Sequence, residues 1–308
     1  MSTLLIVGFG DVAQRAMPRL LAHYHVLALV RTADAAARAA RLGATPVVGD
    51  LDRPETLASL AGAAQCVLHL APPAPSGDRD LRTRSLVNAL SARGMVAHAT
   101  PAIRRVERLV YVSTSGVYGD CGGARVDESR PVNPQSARAQ RRVDAERTLL
   151  DWGAREQVRV AILRVPGIYA ADRLPIERIE RRTPALREAD DVYTNHIHAE
   201  DLVSACLAAL DRGGDGRIYN VSDDSELKMG DYFDLVADRA GLPRPPRIAR
   251  ADATGQVSPM ALSFMSESRK LVNHRMKAEL GITLRYPTVR EGVPLRIDPA
   301  RSAAGGRG

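Results

Sequence analysis

Leu4-Leu5-Ile6-Val7-Gly8-Phe9-Gly10-Asp11-Val12-Ala13 runs an apolar strand into a glycine turn and out into a helix. Four apolar residues in a row read as a strand buried on both faces. Gly8 permits a tight turn, and Gly10 lets the backbone approach a ligand closely. A small residue at Ala13 lets helix and strand pack together. The backbone around Phe9, Asp11 and Val12 then lies at a helix N-terminus, where N–H groups and the helix dipole favour a pyrophosphate. A strand–turn–helix of this kind is expected to hold a dinucleotide.

Outward from this unit, apolar runs alternate with helical patterns. Further strands are expected at Val26–Val30, Pro46–Val48, Val67–Leu70, Leu109–Val112, Val160–Leu163 and Ile218–Val221. With the first strand they predict an α/β fold, a doubly wound, mostly parallel sheet of about seven strands. Asp52-Arg53-Pro54-Glu55 reads as a capped helix start with Asp52 as the cap. Helices are also expected over Leu81–Ala92, stopped by Gly94, and over Ser136–Trp152, stopped by Gly153. Shorter ones are expected at Asp201–Leu210 and Gly230–Ala240, and Pro18 is expected to kink the first helix. Residues 170–198 carry no regular pattern and many charges. Together with 222–296 they predict a small substrate lobe beside a dinucleotide domain of 1–169 completed by 199–221. The Ala/Gly/Arg-rich end, 297–308, is expected to be disordered.

Coenzyme choice is read at the end of the second strand. There Arg31 stands where an NAD site commonly offers a carboxylate to the ribose 2′-hydroxyl. A guanidinium suits a 2′-phosphate instead, which favours NADP. Asp34 leaves NAD open. Asp50 and Leu51 follow the third strand, placed to meet the adenine. Ala71 and Pro72, with Pro73, follow the fourth and would line the phosphate path.

Composition narrows the classes. The chain has 308 residues and a formal charge of +7 from 43 Lys and Arg against 36 Asp and Glu. The Arg residues are spread along the chain without interleaved aromatics, which argues against nucleic acid and for a solvated basic surface. No apolar run is long enough for a membrane span, and the first residues show no secretory pattern. Cys66, Cys121 and Cys206 have no metal-like spacing and read as reduced thiols, so a cytoplasmic protein is expected.

Later motifs add a resemblance. Val48-Gly49-Asp50-Leu51, His69-Leu70-Ala71, Val112-Ser113-Thr114-Ser115-Gly116-Val117-Tyr118-Gly119-Asp120 and Asp127-Glu128 come first. Arg164-Val165-Pro166-Gly167-Ile168-Tyr169 and Ile197-His198-Ala199-Glu200-Asp201-Leu202 follow. In combination the chain, from Leu4 to about Val293, resembles the extended short-chain dehydrogenase/reductases, specifically the NAD-dependent epimerase/dehydratase family. The resemblance implies a Rossmann fold and NAD or NADP as coenzyme. It implies that Thr114, flanked by Ser113 and Ser115, orients a substrate oxygen. It also implies a general acid/base Tyr, with a Lys one helical turn later. Anchored on Ala145-Glu146, those two positions are Arg138 and Arg142. Arg stays protonated and cannot shuttle a proton, although Arg142 can still hydrogen-bond a ribose. The chain thus reads as an atypical member lacking the Tyr–Lys pair.

Other candidates follow from position. Tyr118 reads as packing, whereas Tyr169, with Pro166 and Ile168, is placed near the nicotinamide and is the alternative catalytic residue. Tyr193 and His198, with Ser115, are candidates to face the substrate. His196 and His198 share a strand face, yet a structural or substrate-facing role is expected rather than a metal. Arg173, Arg178, Arg181 and Arg182 would cover the site and attract an anion. Two functions remain open: an NADP-dependent oxidoreductase or epimerase acting on a small hydroxyl or carbonyl substrate, or a non-catalytic NADP(H) sensor. The Arg-dense helix 136–152 weakens an apolar subunit interface, leaving monomer or homodimer.

Overall fold

Alternate residues of the first strand feed two different cores. Leu4 and Ile6 join a cluster with Ala13, Met17, Leu202 and Cys206, whereas Leu5 and Val7 join one with Leu86, Leu149 and Trp152. Successive strand side chains point to opposite faces, so helices must cover both. The computed structural model describes residues 1–92 and 105–297. In it, β1 (Ser2–Val7), β2 (Tyr24–Val30), β3 (Thr45–Val48), β4 (Cys66–His69) and β5 (Arg108–Thr114) lie with strands Arg159–Val165 and Arg217–Asn220 in one seven-stranded sheet. All its pairings are parallel. The spatial order is Arg217–Asn220, Arg159–Val165, β5, β4, β1, β2, β3. The chain therefore reverses direction across the sheet between β1 and β4, which opens a crevice at their C-terminal ends.

Helices α1 (Asp11–Leu20) and Ala199–Arg212 cover one face. Helices α3 (Leu81–Ser91) and α4 (Ala137–Glu156) cover the other. A helix not anticipated, α2 (Ala33–Arg41), follows β2 and is capped by Thr32, whose Oγ1 accepts the Ala35 N–H at 3.2 Å. Helix α1 continues through Pro18 to Leu20. Pro18 is exposed, so water can serve the Gln14 carbonyl that it leaves unbonded.

Three local readings are corrected. The segment after Asp52 is a 3₁₀ helix, Pro54–Leu60, whose cap is Arg53 without a side-chain bond. Asp52 is instead bound by Arg82, at 2.7 and 2.6 Å. Helix α4 passes through Gly153 and ends at Gln157, which takes the left-handed conformation. Gly153 serves packing: a Cβ there would lie 2.5 Å from Val160 Cγ2. Residues 170–198 are not patternless, since they hold the short helix Ile176–Glu180 and short strands. The expected stop at Gly94 and the tail beyond residue 297 lie outside the described residues.

A third cluster, with Ile176, Ile179, Phe233, Val236, Val289 and Val293, packs under helix Met229–Ala240. Among the described residues no helix is long and apolar enough to cross a membrane.

Candidate active-site cleft

The turn after β1 is shaped by what touches it. Gly8 has φ +97°, and a Cβ there would lie 2.5 Å from Ala71 N in the turn after β4. Only glycine fits such a contact at such a φ. Gly10 is different: a Cβ there would meet nothing within 4 Å. It caps α1 with no side-chain hydrogen bond. The first N–H groups of α1 thus face open space at the switch point, which suits a pyrophosphate. Phe9 packs against the core beneath and its carbonyl accepts Gln14 Nε2–H at 3.2 Å.

Neighbouring charges are already paired. Asp11 receives Arg15 at 2.9 Å and Arg173 at 2.8 Å, which straps the 170–173 loop to α1. Burial opposes ionisation of Asp11, but those hydrogen bonds hold its carboxyl below the usual range. Arg181 pairs with Glu177 on the surface. Of the four arginines expected to attract an anion, only Arg178 lines the cavity described below.

At the adenine end, Leu51 is buried, while Asp50 Oδ1 accepts the Asp52 N–H at 3.0 Å. Arg82 bridges Asp52 to the Pro72 carbonyl, joining the loops after β3 and β4. Arg31 is exposed at the end of β2 and has no hydrogen bond or ion pair among the described residues. Its charge acts on Asp52, which is already bound to Arg82.

At the C-terminal ends of β5 and strand Arg159–Val165 lies a cavity of about 530 Å³. Thr114, Ser115 and Gly116 line it from the end of β5, and Arg138 and Arg142 from α4. Pro166, Gly167, Tyr193 and His196 close one side, and Tyr232, Phe233, Phe264 and Glu267 another. Thr114 Oγ1 accepts the Gly116 N–H at 3.2 Å, leaving its own proton free to donate. Arg142 is locked: its Nη1 donates to Tyr111 Oη at 2.9 Å and to the Val112 carbonyl at 2.8 Å. Burial pushes the Tyr111 phenol up to about 12 even with Arg142 beside it, so it does not exchange protons near neutrality. Arg138 lies 4.5 Å from the Phe264 ring, and burial lowers its guanidinium from the ordinary value.

Several expected site residues fall elsewhere. Tyr169 is 1% exposed and its Oη donates to the Thr288 carbonyl at 3.3 Å. The turn bearing Gly292 seals it, with room for no Cβ there: one would lie 2.2 Å from that hydroxyl. Tyr169 therefore does not line the cavity. Ile168 packs against the main core. His198 also misses the cavity: it caps helix Ala199–Arg212, with Nδ1 accepting the Glu200 N–H at 3.2 Å, and lies 3.8 Å from the Tyr286 ring. The cap is His198, while Asp201 accepts the N–H groups of Arg285 and Tyr286. Tyr118 donates to Asn220 Oδ1 at 2.9 Å and is buried, a packing role. Tyr193 and Ser115 do reach the cavity. Among the described residues no group of His, Cys, Asp and Glu is arranged to hold a metal.

Glu267, Arg269 and Tyr232 line the cavity without having been anticipated as site residues, and His196, read as structural or substrate-facing, lines it with them. His196 is wedged between Tyr169 and Tyr232, with ring centroids 6.2 and 4.2 Å away. Nearby Asp223 is buried. That burial pushes its carboxyl up to about 7, against the Ser225 N–H bond that opposes the shift. An unfolded Asp titrates near pH 4, so between about pH 4 and 7 the unfolded chain releases a proton that the folded chain keeps. Folding is thus penalised increasingly as pH rises through that window. Asp223→Asn removes the penalty. Relative to wild type, its unfolding free energy in urea is expected to gain about 3 kcal/mol between pH 4.5 and 7. The opposite trends from His69 and His196, pushed down to about 3 and 4 by burial, cancel in this difference. A pH-independent difference would show an ionised Asp223.

A glycine turn at the switch point of a parallel sheet, with a cavity at the C-terminal ends of strands of that sheet, defines a dinucleotide-binding Rossmann protein. The chain belongs to the NAD dependent epimerase/dehydratase family, whose model matches residues 4–222. It is similar to the 4-hydroxy-2-methyl-3-oxo-4-farnesyl-3,4-dihydroquinoline-1-oxide ketoreductase of Stigmatella aurantiaca. The two are 28% identical over 251 residues, covering 79% of this chain and 74% of that enzyme. A functionally unknown conserved protein from Silicibacter pomeroyi superposes with a TM-score of 0.77, 28% identity and 99% coverage of both chains. The dTDP-glucose 4,6-dehydratase of Bacillus anthracis in complex with NAD shares the fold, with a TM-score of 0.76, 17% identity and coverage of 99% and 98%.

Proposed function

We propose that the chain is an NADP-preferring oxidoreductase or epimerase-like enzyme for a small hydroxyl or carbonyl substrate, with a rebuilt proton-transfer site. The observation that carries the reading is that Thr114, Arg138 and Arg142 share one cavity at the C-terminal ends of the same sheet that carries the glycine turn. The coenzyme, when bound, supplies or accepts a hydride. Gly8, Phe9, Gly10, Asp11 and Val12 would hold its pyrophosphate, and Arg31 its 2′-phosphate. Asp50, Leu51, Ala71 and Pro72 would meet the adenosine side, Arg142 a ribose hydroxyl, and Pro166 the nicotinamide end.

Thr114 orients the reacting oxygen with the hydroxyl proton that Gly116 leaves free. Arg138 cannot move a proton; it presents a fixed positive charge to the substrate in the cavity it shares with Thr114. The proton comes from water or from the substrate itself. Ser115 and Tyr193 shape the substrate side. Cys66, Cys121 and Cys206 are all free thiols, which fits a reducing cytoplasm. The protein would act as a monomer or homodimer.

The test is consumption of NADPH with a panel of ketones and aldehydes. Thr114→Val is expected to cut turnover by roughly 10²-fold, the scale of losing one oxyanion-directed donor. Arg31→Asp is expected to shift the NADPH-to-NADH affinity ratio by at least roughly tenfold towards NADH, the loss of one charged phosphate contact. An unchanged ratio would remove Arg31 from the coenzyme site. The replacement of both acid/base positions by arginine favours a second reading, an NADP(H) sensor. Tight NADPH binding with no turnover on any carbonyl would select it.

A further inference from the structure

Two guanidiniums face the cavity in matching surroundings. Arg138 lies 4.5 Å from the Phe264 ring centroid, and Arg178 lies 4.6 Å from that of Phe233. Each ring backs one face of its guanidinium and leaves the N–H edge as the binding edge. The Arg138 guanidinium has no hydrogen bond or ion pair among the described residues, although the charge of Glu267 acts on it. Arg178 makes one, to the neutral Pro184 carbonyl at 2.7 Å, and its Nε is buried without a partner. Arg269 donates to Glu267 at 2.8 Å and to the Gly119 carbonyl, and its Nε is likewise buried and unpartnered. Among the described residues Arg142 is bonded only to neutral acceptors.

The cavity lining thus holds four guanidiniums and one carboxylate, Glu267. Arg142 and Arg178 are half-buried without a carboxylate partner among the described residues, and Arg138 beside them is open to solvent, so this excess of positive charge marks a place for an anion. Alongside polar groups such as Thr194, Asn195 and His196, one stretch of the wall is apolar. Met229, Tyr232, Phe233, Phe264 and Met265 present thioether and ring surfaces. Phe264 is also partly open to solvent, at the cavity's rim.

We infer that the substrate is an amphipathic organic anion, with a carboxylate or a similar oxyanion group held by Arg138 and Arg178. Its apolar, ring-bearing body lies along the Phe and Met wall. This deepens the reading of the cavity as a substrate site and rests on it, but its test needs no turnover. Arginine gives a planar anion two parallel hydrogen bonds, and the ring behind it excludes water from the back of the pair. The same two residues explain why position 138 carries an arginine rather than a neutral donor: it reads the charge of the ligand.

The experiment uses naphthalene-2-carboxylate and its uncharged primary amide as probes, titrated calorimetrically into the whole protein. NADPH affinity is measured separately. The carboxylate is expected to bind at least tenfold more tightly than the amide, and added salt should erode the difference. Arg138→Gln is expected to abolish the preference without changing NADPH affinity, and Arg178→Gln to reduce it. If Arg178→Gln does not fold, Arg138→Gln decides alone. Equal affinity for acid and amide, no binding of either probe, or a preference that survives Arg138→Gln would each overturn the inference. Failure of NADPH to bind, with the acid preference intact, would instead overturn the oxidoreductase reading and leave the anion site standing.

Discussion

Gly8→Ala is expected to lower NADPH affinity by at least roughly a hundredfold, the loss of two charge-assisted hydrogen bonds, and to destabilise the fold as well. The new Cβ would lie 2.5 Å from Ala71 N and 2.8 Å from Ala71 Cα, both backbone atoms that cannot swing aside. The φ of +97° adds strain for any L side chain. Together these cost roughly 2–4 kcal/mol. Either the turn after β1 or the turn after β4 must move, and both border the same crevice.

Gly10→Ala separates binding from folding. A Cβ at Gly10 meets nothing within 4 Å, so stability should change by less than about 1 kcal/mol, the range for exchanging a cap residue. The methyl would instead stand in the space before the first N–H groups of α1, and NADPH affinity should fall steeply. Urea denaturation and NADPH titration of both variants provide the check. A Gly10→Ala protein that binds NADPH like wild type would place the pyrophosphate elsewhere. A Gly8→Ala protein of unchanged stability would refute the contact with Ala71.

The glycine turn is legible in sequence because everything that defines it is local: four apolar residues, two glycines and a helix start. The sheet is legible for a related reason. Each strand is a short apolar run bounded by turn residues, and the central ones are buried on both faces, while the edge strand β3 leaves Val48 exposed. The cavity is a different kind of object. Its walls come from the end of β5, from α4, from Tyr193–His196 and from Phe264–Arg269, and the last two stretches have no periodicity to announce them. Glu267 and Arg269 acquire their meaning only when they fold back against Gly119. Tyr169 shows the converse failure. Its place after a strand end points to the site, but Thr288 and Gly292, more than a hundred residues later, bury it. The abundance of arginine also misleads. It reads as a solvated basic surface, yet Arg141, Arg164 and Arg269 are buried. Arg141 holds the Gly77 and Pro75 carbonyls at 2.6 and 3.2 Å, fastening the loop after β4 to α4.

Arg164 leads to the other large effect. Glu146→Ala is expected to cost about 3–5 kcal/mol, because it strands a buried guanidinium. Arg164 is 4% exposed and donates to Glu146 through Nη2 at 2.7 Å and Nε at 3.3 Å. Its other face lies 4.8 Å from the Tyr118 ring. Ser113 donates to Glu146 Oε1 at 2.5 Å. Glu146 thereby joins α4, β5 and strand Arg159–Val165 at the residue just before Thr114. Loss of the carboxylate should therefore lower turnover as well as stability. Glu146→Gln keeps volume and one acceptor but not the charge, so it should fall between alanine and wild type. A double-mutant cycle of Glu146→Leu with Arg164→Met isolates the pair. The double variant is expected to be more stable than the sum of the single losses by at least about 2 kcal/mol, because no charge is left alone in the core. Strictly additive losses would mean that the two side chains do not compensate one another. The hold on Thr114 would then have to come from Ser113 and the strand pairing alone.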